Sequence, residues 1–354
     1  MIFLLLYSYN EKEWRGRMII MHMTSIGKKT WCQRVRAAII LEGAILLVAA
    51  FILWKNTAGA GENAVAATSD GTIRWVDFNV SYEALCKAYE YDVETYGKEI
   101  HIDWIDLLSY VAAKNGGEFG TSAAVLGGLI GEYEIQESEG GPYVKKYGLK
   151  AFSPIAKGFP YSDYDDFGVS RSYGYKRQHL GHDMMGQIGT PVICIESGYV
   201  EALGWNQYGG WRVGIRSLDK KRYYYYAHLR QDYPYQAKLK EGDLVTAGDV
   251  IGYMGHTGYS TKENVNNIDT VHLHYGLELI FDEEWRENGH EIWVDCYNLT
   301  RFLYKNRSEV HKVEGTKEWK RTFDMKEITL KIGNFLMKMT YCIDFFHNWV
   351  ENLE

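Results

Sequence analysis

Two histidines one residue apart, in the run Thr270-Val271-His272-Leu273-His274-Tyr275, lie far down the chain from a second cluster, His179-Leu180-Gly181-His182-Asp183. If the two runs share a metal, the fold has to bring them to one point. Residues i and i+2 of a β-strand project from the same face about 7 Å apart, so His272 and His274 send two imidazoles into one groove. One of the two can bind a metal while the other works beside it. His179 and Asp183 are four residues apart, a spacing from which an imidazole and a carboxylate converge across a bent loop or a helical turn. A histidine, a carboxylate and one distant histidine make three ligands, which leaves a tetrahedral zinc ion an open fourth position for water. An open position means catalysis rather than scaffolding. A further histidine, His228, ends the aromatic run Tyr223-Tyr224-Tyr225-Tyr226-Ala227, which has the composition of a half-buried strand and can face the same groove.

Six stretches read as short strands, at 192–195, 199–203, 212–215, 223–229, 250–254 and 272–280. Turn signals such as Ser197-Gly198, Tyr208-Gly209-Gly210 and Gly255-His256-Thr257-Gly258 separate them. Connections this short predict antiparallel pairing, because parallel neighbours need long crossovers.

These residues resemble the lysostaphin-type, LytM-like zinc endopeptidases, which cut peptidoglycan peptides. The likeness is carried by His179-Leu180-Gly181-His182-Asp183, Gly189-Thr190-Pro191-Val192, Tyr226-Ala227-His228-Leu229, Gly255-His256-Thr257-Gly258 and His272-Leu273-His274. It runs over about residues 165–280. The resemblance implies an antiparallel sheet with a groove above it. It makes His179, Asp183 and His274 the zinc ligands, and His228 and His272 the catalytic pair that orients water and stabilises the oxyanion. Two departures stand out. His182 fills a commonly apolar slot and is expected to act as a second layer around the metal or to face solvent. The stretch Ser260–Thr270 is longer than the family's Gly-rich turn, which bears on substrate preference.

The 354 residues exceed one such unit. The expected organisation is a cytoplasmic segment 1–36, a transmembrane helix 37–54, a linker 55–80, a helical or mixed region 81–154, the LytM-like domain 155–305 and a helical tail 306–354. The run from Ala37 to Trp54 has Glu42 as its one charge and would be about 27 Å long as a helix, enough to span a bilayer core. Lys28, Lys29, Arg34 and Arg36 precede it, so the positive-inside rule puts the later residues outside, facing the cell wall. A cleaved signal peptide is the competing reading, since Ala58-Gly59-Ala60 and Ala64-Val65-Ala66 offer cleavage sites.

Tyr82, Leu85, Cys86 and Tyr89, then Trp104, Leu107, Leu108 and Val111, follow helical spacing, with Gly116-Gly117 as a C-cap. Ile332, Phe335, Leu336, Met339, Ile343 and Phe346 form a second apolar stripe, expected to serve packing or self-association. A net charge of −7 without a basic stripe argues against nucleic acid as a partner. Five cysteines without C-x-x-C spacing argue against a disulfide framework, and Cys194 reads as a small buried hydrophobe. The function expected is a membrane-anchored zinc endopeptidase acting on peptidoglycan stem or cross-link peptides, with division or sporulation proteins as candidate partners. The alternatives are a non-catalytic binding protein on the same fold, whose usual sign is loss of metal or catalytic residues, and a structural component of a wall or sporulation assembly.

Overall fold

A computed structural model describes residues 74–76, 78, 80–114, 119–172, 176–281 and 291–328. The span 37–54, the Gly116-Gly117 cap and the stripe from Ile332 onward lie outside them. Among the described residues no helix is long and apolar enough to cross a membrane.

The architecture is built on a nine-stranded sheet. Its members are β1 (Arg74–Val76), β2 (Ser162–Asp163), β3 (His182–Met185), β4 (Gly198–Asn206), β5 (Gly210–Ser217), β6 (Arg222–Ala227), β7 (Leu244–Val245), β8 (His272–Leu279) and β9 (Ile292–Val294). The order is β1-β9-β8-β6-β5-β4-β7, with β2 and β3 joined to β8 through β3. All pairs are antiparallel except β1 with β9. Each of the six stretches expected to be strands overlaps one, the two outside the large sheet being Pro191–Ile193 and Val250–Tyr253, which pair with each other.

Alternation decides which face of the sheet is core. Tyr224, Tyr226, Leu273, Tyr275 and Leu277 are fully buried on one face, together with Val213 and Ile215. Burying an aliphatic side chain of this size contributes about 1.5–3 kcal/mol, so a one-residue slip of register would expose the whole set. The same periodicity sends Tyr225, His272 and His274 to the opposite face. The register pairs His274 with Asp183 on one side and with Ala227 on the other. Thus the centre of the sheet itself, rather than a loop, sets a histidine beside a carboxylate.

Helices α1 (Tyr82–Thr95), α2 (Trp104–Lys114) and α3 (Phe119–Leu126) occupy the region expected to be helical, and α4 (Tyr297–Leu303) follows β9. Ser81 caps α1 by accepting from the Ala84 N–H at 3.2 Å. Buried Asp92 ties α1 to its surroundings by accepting from the Trp104 N–H at 2.9 Å and the Tyr147 hydroxyl at 2.5 Å. The module is fastened to the sheet by Arg222 of β6. Its guanidinium, fully buried, donates to Glu196 at 2.7 and 2.9 Å and to the Ala124 carbonyl of α3 at 2.9 Å. An uncompensated buried charge is strongly destabilising, so this pair fixes the module in place.

After α3 the strand Ile130–Gln136 pairs with Tyr143–Leu149, and one expectation changes further on. The tail expected to be helical from residue 306 begins with three strands, Val310–Lys312, Trp319–Arg321 and Met325–Glu327. The last pairs with Ile130–Gln136, and Met325 is buried against Phe152 and Val250, so this part is held by backbone pairing and a small core of its own.

Candidate metal centre

Three donor atoms meet over the middle of the sheet. His179 Nε2 lies 3.0 Å from Asp183 Oδ1 and 3.0 Å from His274 Nδ1, and the last two atoms are 2.8 Å apart. Donors about 2.0–2.1 Å from a tetrahedral zinc stand about 3.3 Å from one another. The observed triangle is therefore only a few tenths of an ångström tighter than a loaded site. His179 Nδ1 faces the Asp166 carbonyl at 3.1 Å, an acceptor, so that nitrogen carries the ring proton. A neutral His179 then turns a lone pair toward the Asp183 oxygen, and lone pairs this close need a cation or a proton between them.

The electrostatics carry the same demand. Burial opposes charge on His179, but hydrogen bonds with Asp166 and Asp183 outweigh it and lift its pKa to about 9. Burial would raise the Asp183 carboxyl, yet the bonds from His179 and His274 override it and hold it well below the usual carboxylate range. Burial lowers His274 to about 4 against the pull of Asp183. Two imidazole nitrogens and one carboxylate oxygen, set to share one positive charge, fit a divalent zinc-class ion. Among the described residues they are the one such donor cluster.

Gly181 makes room for this arrangement. A Cβ there would stand 2.5 Å from His274 Cε1 and 2.7 Å from the Tyr275 carbonyl, so the loop carrying His179 can lie against the His274 ring only without a side chain.

His228 and His272 sit beside the triangle with ring centroids 4.7 Å apart. His272 Nδ1 donates to the Thr270 carbonyl at 2.8 Å, and its Nε2 stands 3.8 Å from Asp183 Oδ1. His228 Nδ1 donates to the Thr257 carbonyl at 2.9 Å. Both rings thus keep their proton on Nδ1 and present a bare Nε2, the form suited to accepting a proton. Burial, then the neighbouring His272 and His274, push the His228 pKa well below its ordinary value, which keeps the ring neutral. His228 has φ 61°, a left-handed conformation that costs a non-glycine residue about 1–3 kcal/mol. Its N–H bonds to the Gly209 carbonyl at 2.7 Å and its carbonyl accepts from Gly255 at 3.0 Å, so the strand end holds it there. The run Gly255-His256-Thr257-Gly258 earns its place through the Thr257 carbonyl. Gly258, at φ 128°, passes where a Cβ would meet the Tyr208 carbonyl at 2.4 Å.

The five expected site residues are therefore together. His182 departs from expectation, being neither around the metal nor facing solvent. As the neighbour of Asp183 on a strand it points to the opposite face, where it is buried and bonds Asp163 at 2.9 Å. Sequence reasoning missed Asp166 and Arg171, which contact His179 and Asp183. An acidic pair in Asp165-Asp166 and an arginine in a short hairpin look like solvated surface until the fold turns them inward.

The groove over the site, of about 140 Å³, continues into a chamber of about 420 Å³, and Arg171, Tyr259 and Ile268 line both. A separate cleft of about 490 Å³ lies around Phe152, Tyr304 and Arg307; Arg307 donates there to the carbonyls of Ala156 and Phe159. The long loop 260–268 forms a wall of the groove. Asn264 clamps it, with Oδ1 accepting from Trp211 Nε1 at 2.8 Å and the Asp232 N–H at 2.9 Å, and Nδ2 donating to Asp232 at 2.6 Å. Replacing Asn264 by alanine is expected to lower the local opening free energy of this wall by about 1–3 kcal/mol. Amide hydrogen exchange over 259–268 should quicken accordingly while bound zinc is unchanged; unaltered exchange would remove the clamp from the account.

The family described as Peptidase family M23 matches residues 177–312, which contain all five residues. The L-Ala--D-Glu endopeptidase of Bacillus subtilis is 36% identical over 133 residues, 38% of this chain and 37% of that protein. Lysostaphin of Staphylococcus simulans is 37% identical over 111 residues, 31% of this chain and 20% of that protein. The solved catalytic domain of lysostaphin is 30% identical, with 40% of this chain and 92% of that one covered and a TM-score of 0.31. The chain thus spans well under half the length of the curated relatives it matches.

Proposed function

We propose, from the match of residues 177–312 to peptidase family M23, that the chain is a zinc endopeptidase that hydrolyses peptide bonds in peptidoglycan stem or cross-link peptides. The single observation that supports this most is the convergence of His179, Asp183 and His274 within 3.0 Å of one another, with two bare imidazole nitrogens alongside. In this reading His179, Asp183 and His274 hold the ion. Zinc bound there would lower the pKa of a water molecule toward neutrality and polarise a carbonyl.

The chain's own groups do the rest. One of the two Nε2 atoms, of His228 or His272, accepts the water's proton and, once protonated, donates a hydrogen bond to the oxyanion before passing that proton to the leaving amine, while the other accepts a hydrogen bond from the water and orients it. The carbonyls of Thr257 and Thr270 keep each ring in the tautomer that leaves Nε2 open. Tyr259, Ile268 and Arg171 confine the peptide over these groups. A non-catalytic role would be favoured by a gap in this set, and the set has none.

We further propose that the apolar run 37–54 anchors the protein with its peptidase region outside the cytoplasm, on the strength of the basic residues that precede that run. Digesting purified muropeptides and reading the new amino termini by mass spectrometry tests the activity and identifies the bond. The expected result is release of peptide fragments that stops on chelation and resumes when zinc is restored. Intact muropeptides after incubation with the zinc-loaded chain would refute the reading.

A further inference from the structure

We infer that Asp166 and Arg171 are positioning residues that lock two of the three metal-facing side chains in the geometry that receives the ion; this rests on the ligand reading proposed above. The contacts form a closed ring. His179 Nδ1 lies 3.1 Å from the Asp166 carbonyl and 3.2 Å from Asp166 Oδ2. Arg171 Nη2 donates to that same Oδ2 and stands 3.0 Å from Asp183 Oδ2. The chain of contacts therefore runs from one ligand, His179, through Asp166 and Arg171 to the second ligand, Asp183.

Each link removes a freedom that a ligand would otherwise keep. A histidine ring can turn about its Cβ–Cγ bond and offer either nitrogen; with Nδ1–H given to Asp166, only Nε2 faces the centre. A carboxylate can present either oxygen or both; with Oδ2 held by Arg171, Oδ1 alone meets the two nitrogens. Such contacts behind metal ligands fix the tautomer and ring orientation and raise ligand basicity. Arg171 also separates two carboxylates that would otherwise repel, for Asp166 and Asp183 are each only 3% exposed and both touch the same nitrogen.

The backbone supports the ring from the Asp166 side. The Gly168 N–H donates to the His179 carbonyl at 2.7 Å, and the His179 N–H donates to the Val169 carbonyl at 3.0 Å. The segment 166–169 therefore travels with His179 as a unit. Arg171 comes from the hairpin formed by Ser170–Ser172 and Lys176–Gln178, outside the large sheet. The sheet supplies Asp183 and His274, and this hairpin is what couples His179 to them.

The test is zinc affinity of the full chain, measured by competition against a chromogenic chelator, for the unchanged protein and for Arg171→Gln, Arg171→Lys, Asp166→Asn and His274→Ala. Arg171→Gln should bind zinc about 10–100-fold more weakly. Arg171→Lys should recover most of that loss, because an ammonium can still bridge the two carboxylates. Asp166→Asn should weaken binding about 10-fold, since its backbone carbonyl still serves His179 but the bridge to Arg171 is lost. Circular dichroism shows which variants fold, and if Arg171→Gln does not, Asp166→Asn decides. Unchanged affinity in the folded Gln variant, or in the Asn variant where that one decides, would overturn the inference. A failure of the ligand reading looks different: His274→Ala would then bind zinc as tightly as the unchanged chain, and both proposals would fall.

Discussion

Replacing His272 or His228 by alanine is expected to leave zinc bound and to slow turnover by about 10²-fold or more. The size follows from what the ring does: a positioned base that moves a proton in the transition state contributes about 10²–10⁴-fold, and a donor to the developing oxyanion about 10²–10³-fold. Zinc stays because neither ring takes part in the 3 Å triangle. His272 Nε2 is 3.8 Å from Asp183 Oδ1, and the His228 ring centroid is 5.8 Å from that of His274. The losses in the double variant should fall short of the product of the single ones, because two rings 4.7 Å apart that serve one proton transfer act as a unit. The measurement is kcat on a muropeptide together with zinc per chain for each protein. Loss of zinc from His272→Ala with retention in His274→Ala would exchange the roles of these two residues, and unimpaired turnover in both single variants would remove the proposed chemistry.

The parts of the fold that could be read from the sequence are those in which one physical rule acts alone. Period-two alternation places Tyr224 and Tyr226 inward and Tyr225 outward, and the same rule puts His272 and His274 on one face. The chemistry of the groove was legible because the runs around His179, Asp183, His228, His272 and His274 together resemble the motifs of a known family of zinc endopeptidases, whereas each histidine alone has commoner uses than holding an ion. His182 could have been placed by the same alternation, since a residue next to Asp183 on a strand has to face away from it; its chemical type misled where its position was informative. The first part of the tail was not legible. Val310–Lys312, Trp319–Arg321 and Met325–Glu327 are too short and too polar to show a period, and they are strands because distant partners offer them backbone bonds. Asp166 and Arg171 were hidden for a related reason. Their roles depend on a hairpin folding back over His179, which no local pattern encodes.

The ligand assignment carries the largest effect of all. His179, Asp183 and His274 meet at a point where lone pairs are forced together, so removing any one of them takes away one of the three protein ligands and disturbs the charge balance with it. Deleting Asp183 also leaves Arg171 without one of its two carboxylate partners, while deleting His274 opens a space over Gly181. Tight zinc sites depend on ligand count and geometry together, so each single alanine variant should lose the ion rather than hold it loosely, and peptidase activity should vanish with it. The most direct measurement is elemental analysis of zinc per chain in the purified unchanged protein and in His179→Ala, Asp183→Ala and His274→Ala after exhaustive dialysis. The account predicts one zinc per chain in the unchanged protein and far less than that in all three variants; stoichiometric zinc in any one of the folded variants would contradict it.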